Sequence, residues 1–213
     1  MQIQWLGQSF FRLTAKNNGA EVDIAIDPFS ESCGLKPAKF NADILAITRN
    51  HEDNNNADAI KGEPFTIIGP GEYETKGIFI YGIPAWREGD GAKGENTTLY
   101  RVSAEGMSIV HLGNLNHELS TEQLEKLGDV DILLIPVGGE NALDSKKAAE
   151  LVSEIEPRIV IPMYYQLPGL KTKLKTVEEF LKASGLPHEK MDKFKIAKKD
   201  LPIEDTKVIV LTA

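Results

Sequence analysis

The chain has 213 residues, 41% hydrophobic and 26% charged, the make-up of an ordinary globular protein with enough length for one substantial domain over 1–213. Its net charge of −8 and pI near 5.1 disfavour a nucleic-acid phosphate track, which needs clustered Lys and Arg. One cysteine, Cys33, excludes an internal disulfide and fits a reducing compartment, so a cytoplasmic protein is expected.

The N-terminal residues alternate like a strand from the start, so no signal peptide is expected. No apolar run reaches the ~20 residues of a membrane span. Period-two patterning predicts strands at Ile3–Leu6, Phe10–Thr14, Val22–Ile26, Ile44–Ile47, Thr66–Ile68 and Ile78–Tyr81. Gly19, Pro28, Gly62 and Gly69-Pro70-Gly71 separate them. The polar stretch 84–96 exceeds the usual connection length and is a candidate lid. Strands at Thr98–Val102 and Met107–Val110 follow.

Helix and strand then alternate. Ser120-Thr121-Glu122-Gln123 is a capping-box start for a helix ending near Gly128, and Ile132–Val137 reads as a fully buried strand. Asp144 caps a helix through Glu154, and Arg158–Met163 is the next buried strand. Thr176-Val177-Glu178-Glu179 opens a helix that Gly185 stops, and Val208–Leu211 closes the chain as a strand. The Lys-rich region from Lys171 to Lys199, interleaved with acids, reads as a solvated helical face. Strands first and βαβ-like units later predict two sheets with outer helices, an αββα sandwich.

The segment Thr48-Arg49-Asn50-His51-Glu52-Asp53-Asn54 sits where the apolar strand Ile44–Ile47 gives way to a loop. It resembles the Thr-His-x-His-x-Asp-His signature of the metallo-β-lactamase superfamily. His51 and Asp53 match, and Arg49 and Asn54 stand where histidines belong. Trp5-Leu6-Gly7-Gln8-Ser9 is similar to the opening strand and turn of the branch related to L-ascorbate-6-phosphate lactonases, with Gln8 in place of a histidine. Ile26-Asp27-Pro28-Phe29 matches that branch's Asp-Pro turn, where Asp27 is expected to make a turn hydrogen bond. Three further segments carry the likeness, with Arg87 after Pro84-Ala85-Trp86, Asn114 after His111-Leu112-Gly113 and Tyr164 after Ile161-Pro162-Met163.

The resemblance implies a four-layer fold of metallo-β-lactamase type. Of seven implied ligand positions only His51 and Asp53 keep a ligating residue. A guanidinium has no lone pair to give, and catalytic zinc needs three protein ligands. No metal cofactor is therefore expected, and zinc enters only if an unusual centre persists. At the family site two zinc ions, two aspartates and a hydroxide leave one net positive charge, and so do Arg49, Arg87 and Asp53.

Three readings follow. The cleft is plugged by a network of Arg49, Asp53, Asn54, Asn114 and Tyr164 with Arg87. Or it binds a small anion through arginine contacts. Or the chain is an active hydrolase of a phosphorylated sugar lactone or similar ester. His51 with Asp53 is a weak catalytic candidate against a hydrogen-bonded pocket histidine. His111 is expected to anchor a loop, and His117 and His188 to lie in solvent. Trp86 is expected at the cleft mouth or in the core. Gly138-Gly139-Glu140 lacks the spacing of a phosphate-binding turn. Assembly into a homo-oligomer is the open expectation on partners, with no membrane or nucleic acid.

Overall fold

The computed structural model describes residues 1–86 and 96–213. Alternating apolar residues make the first strands, each burying one side. Strands β1 (Gln2–Trp5), β2 (Phe11–Asn17) and β3 (Ala20–Ile26) form an antiparallel meander. A two-residue ribbon pairs β4 (Phe40–Asn41) with β6 (Ile60–Lys61), while β5 (Ile44–Ile47) and β7 (Phe65–Ile68) extend the meander in parallel. The chain turns a corner at Gly69-Pro70 into β8 (Gly71–Thr75), β9 (Ile78–Ala85), β10 (Thr97–Ala104) and β11 (Met107–His111).

Parallel units follow. They are α1 (Thr121–Leu127), β12 (Ile132–Pro136), α2 (Ser145–Ile155), β13 (Ile159–Met163) and α3 (Val177–Ser184), then β14 (His188–Met191), β15 (Phe194–Lys195) and β16 (Lys207–Leu211). The first sheet runs β15-β1-β2-β3-β5-β7, and the second runs β14-β16-β13-β12-β11-β10-β9-β8. Strands β12 and β13 bury every residue, as strands covered on both faces must.

The sheets pack face to face. Phe11 meets His111 edge-on with ring centroids 5.7 Å apart, and Trp5 meets Tyr165 at 4.7 Å. The helices lie in the connections of the second sheet, where α2 packs against α3 and α1 against β9. Outside the first sheet, Phe40 covers Arg12 and stacks on Phe10. This is the αββα plan expected, with the α-helices all following β11 and the β4–β6 ribbon beside the first sheet.

Several local expectations need correction. The Lys-rich 171–199 region is helical only over Val177–Ser184, and its remainder includes the edge strands β14 and β15. Thr176 makes no side-chain cap bond, whereas Ser120 with Gln123 completes both arms of a capping box. His117 is buried, not solvated, with Nδ1 3.0 Å from Asn116 Oδ1. His188 is exposed as expected and begins β14. Trp86 is exposed rather than core.

Candidate functional site

The parallel strands of both sheets end at one rim, and the loops that leave it meet there. Strands β3 and β5 are neighbours in register, Ile26 beside Ala46. The residues just past their ends, Asp27 and Thr48, are therefore brought side by side. Thr48 donates its N–H to Asp27 Oδ1 at 2.7 Å and its hydroxyl to Oδ2 at 2.6 Å. Asp27 adopts φ +55° and is fully buried. The expected local turn bond is thus replaced by contacts to a different strand.

The ligand-like loop folds back onto the same carboxylate. Arg49 Nε donates to Asn54 Oδ1 at 2.8 Å. That bond fixes the amide's orientation, because a guanidinium can only donate. Asn54 Nδ2 then faces Asp27 Oδ2 at 2.8 Å and Asn114 Oδ1 at 2.9 Å. Ser9 Oγ donates to the same Asn114 oxygen at 3.0 Å. Arg49, Asn54 and Asn114 are all buried, so this network joins both sheets with almost no contact with water.

Burial pushes the Asp27 carboxyl up to about 7, while the Thr48 and Asn54 hydrogen bonds and the nearby Arg49 charge pull it back down. Its neutral and ionised forms are therefore both populated near neutral pH. His111 is held the other way: burial takes its pKa down to about 4. The Gly113 N–H donates to Nδ1 at 3.0 Å, so Nε2 carries the proton and donates to the Ser9 carbonyl at 2.9 Å. The neutral imidazole thus ties the β11 end to the Gln8-Ser9 turn.

Gln8 has φ +50° and its carbonyl accepts from Trp5 Nε1 at 2.8 Å and from the Tyr164 N–H at 3.1 Å. Tyr164 is itself buried with φ +50°, directly after β13. A Cβ on Gly138 would lie 2.2 Å from the Tyr164 carbonyl oxygen. The Gly138-Gly139 turn therefore serves close packing.

Of the residues singled out from the sequence, the structure brings Arg49, Asn54 and Asn114 into one network and seats Tyr164 on the neighbouring Gln8 turn. His51 and Asp53 lie on the outer side of the loop. Asp53 donates its N–H to His51 Nδ1 at 3.2 Å, its carboxylate is 3.5 Å from that nitrogen, and the imidazole is 39% exposed. Arg87 and the body of the 84–96 stretch fall outside the described residues. Asp27, Thr48 and Ser9 are members that the sequence reading missed. The available signal was position: Asp27 and Thr48 each follow an apolar run that ends at the same rim.

These side chains do not make a dinuclear zinc shell as arranged. Asn114 Oδ1 already accepts two hydrogen bonds, Asn54 presents an amide N–H toward Asp27, and Arg49 brings a cation. Among the described residues no group of three or more His, Cys, Asp or Glu side chains is placed to hold a metal ion.

Comparison with known proteins gives one consistent picture. A family model described as a beta-lactamase superfamily domain matches residues 2–164. A UPF0173 metal-dependent hydrolase of Thermococcus onnurineus is 28% identical over 195 residues, covering 78% of this chain and 84% of the relative. Among solved structures, a Thermotoga maritima protein of the metallo-beta-lactamase superfamily superposes with a TM-score of 0.79 at 27% identity, covering 99% of this chain and 97% of that one. The metallo hydrolase Igni18 of Ignicoccus hospitalis shares the fold, with a TM-score of 0.64 at 20% identity over 86% and 90% of the two chains. No described helix is long and apolar enough to cross a membrane.

Proposed function

The chain belongs to the beta-lactamase superfamily, and we propose that it is a member in which a hydrogen-bonded plug has replaced the dinuclear zinc centre. The observation that carries this reading is the position of Asn54. Its amide joins Arg49 on one side to Asp27 and Asn114 on the other, filling the volume between the two sheet ends with protein.

Charge supports a plug over an anion pocket. Within the described network the Arg49 cation and the Asp27 carboxyl are joined through Asn54, so an ionised Asp27 offsets the charge of Arg49 and leaves no net positive charge there for a ligand. An ionised Asp27 left without Arg49 and Asn54 would be a buried charge lacking compensation, which is strongly unfavourable. The same substitutions that remove metal ligands therefore supply the groups that keep this carboxylate tolerable. On this reading the cleft stabilises the fold and does not hydrolyse esters by metal-bound water.

A second reading is an active hydrolase of a phosphorylated sugar lactone or similar ester. The relatives favour it, since the Thermococcus onnurineus protein is described as a metal-dependent hydrolase. Metal analysis of protein purified without added metal or chelator separates the two. The plug predicts a zinc content far below one ion per chain. Stoichiometric zinc, iron or manganese together with esterase or lactonase activity would establish the second reading.

A further inference from the structure

We propose that strand β7, the free edge of the first sheet, pairs with the same strand of a second copy of this chain. Among the described residues each of the two large sheets ends in two edge strands, and three of these four edges carry charges. Strand β8 has exposed Glu72 and Glu74, β14 has Glu189 and Lys190, and β15 has Lys195. Charged side chains of this kind keep an edge from recruiting another strand. Strand β7 reads Phe-Thr-Ile-Ile, has no charge, and exposes Phe65 to 47% and Ile68 to 66%. For a molecule of net charge −8, a neutral edge is where two copies can approach with least repulsion.

The backbone restricts the register. Phe65 donates its N–H to the Asp43 carbonyl at 2.8 Å, so Phe65 and Ile67 turn their peptide groups toward β5. Thr66 and Ile68 turn theirs outward, because alternate residues of a strand bond to opposite sides. The two-fold register that pairs both outward residues within the strand is centred on Ile67, with Thr66 opposite Ile68 of the second copy and Ile67 opposite Ile67. The Thr66–Ile68 pair occurs twice by symmetry, and each exchanges both N–H···O bonds. The same residues meet on both sides of the axis, as an isologous contact requires.

Side chains agree with this register. Thr66 and Ile68 lie on one face, and a β-branched pair directly opposed across strands is favourable. Phe65 comes opposite Gly69, where a Cβ would meet nothing within 4 Å. The ring therefore has room over the turn of the other copy. The product is one continuous sheet with six strands from each copy.

Sedimentation velocity across a concentration series tests this with the full chain. The wild type is expected to show a species of about 47 kDa, twice the 23.5 kDa chain. Thr66→Pro removes an outward N–H without breaking a bond to β5, and Ile68→Lys sets charges into the pair; both are expected to sediment as monomer. Hydrogen exchange on the wild type gives an independent readout. The Thr66 and Ile68 amides should gain protection as concentration rises. A wild type that stays monomeric at every concentration, exchange at those amides that ignores concentration, or variants that remain dimeric would each overturn the proposal.

Discussion

Asn54 serves three partners because a carboxamide places one acceptor and two donor hydrogens on a single rigid plane. Truncating it leaves the Asp27 carboxylate, the Arg49 guanidinium and the Asn114 oxygen each one bond short inside a closed site. Asn54→Ala is therefore expected to cost about 3 kcal/mol, read as a lowered denaturant midpoint at unchanged slope. A loss under about 0.5 kcal/mol, the range of surface substitutions, would show that the network carries no weight. His111 gives a prediction in pH. Its folded pKa near 4 lies below the ordinary 6.5, so the unfolded chain takes up its proton first as pH falls. Its contribution is complete above about 6.5 and is lost toward 4. Relative to His111→Gln, the wild type should gain about 1.4 kcal/mol per pH unit between those limits and hold a constant advantage above them. Parallel curves would contradict a neutral, buried imidazole. Asp27 has the opposite sign: its folded pKa near 7 exceeds the ordinary 3.8, so its contribution is complete below about 3.8 and fades as pH rises through 7. At this scale Arg49, Asn54 and Asn114 were legible because the motif spacing picks them out. Asp27 was not, because its partners lie 21 and 27 residues away in sequence and only strand pairing brings them near.

Elements formed wherever sequence period and end signals agreed. The Ser120 box caps α1 through both arms, with Ser120 Oγ accepting from Gln123 N–H and Gln123 Oε1 accepting from Ser120 N–H. Ser120→Ala is expected to cost about 1 kcal/mol in a urea melt, and no change in midpoint would contradict that cap. The buried strands β12 and β13 stood out as continuous apolar runs. Strands β8, β14 and β15 did not, since Gly-Glu-Tyr-Glu-Thr, His-Glu-Lys-Met and Phe-Lys have little apolar alternation to read. Their pairing comes from the neighbouring strand's open edge, which is a tertiary effect. The turn after β12 shows the same limit. Gly138 was recognisable as a turn residue, but its near contact with Tyr164 is visible only when β12 and β13 lie side by side. Gly138→Ala should destabilise by about 3 kcal/mol through that clash with backbone, measured by thermal or denaturant melting. A neutral result would mean that the two loops part easily.

Over the whole molecule, two sheets supply the core and the rim supplies the distinctive chemistry. The αββα plan was legible because strand-rich sequence preceded the βαβ units and because motif segments recur in order along the chain. What the rim does was less legible. A ligand loop with substituted residues leaves a plug, an anion pocket and an unusual metal site open in sequence, because which side chains bond to one another depends on strand pairing. A rim plugged as proposed would make the fold independent of metal. In a metal-holding relative, binding free energy would add directly to folding stability. Melting in the presence and absence of a strong chelator, with zinc then added back, tests this most directly. The plug predicts one unchanged melting temperature in all three conditions. A fall of several degrees with chelator, restored by equimolar zinc, would contradict it.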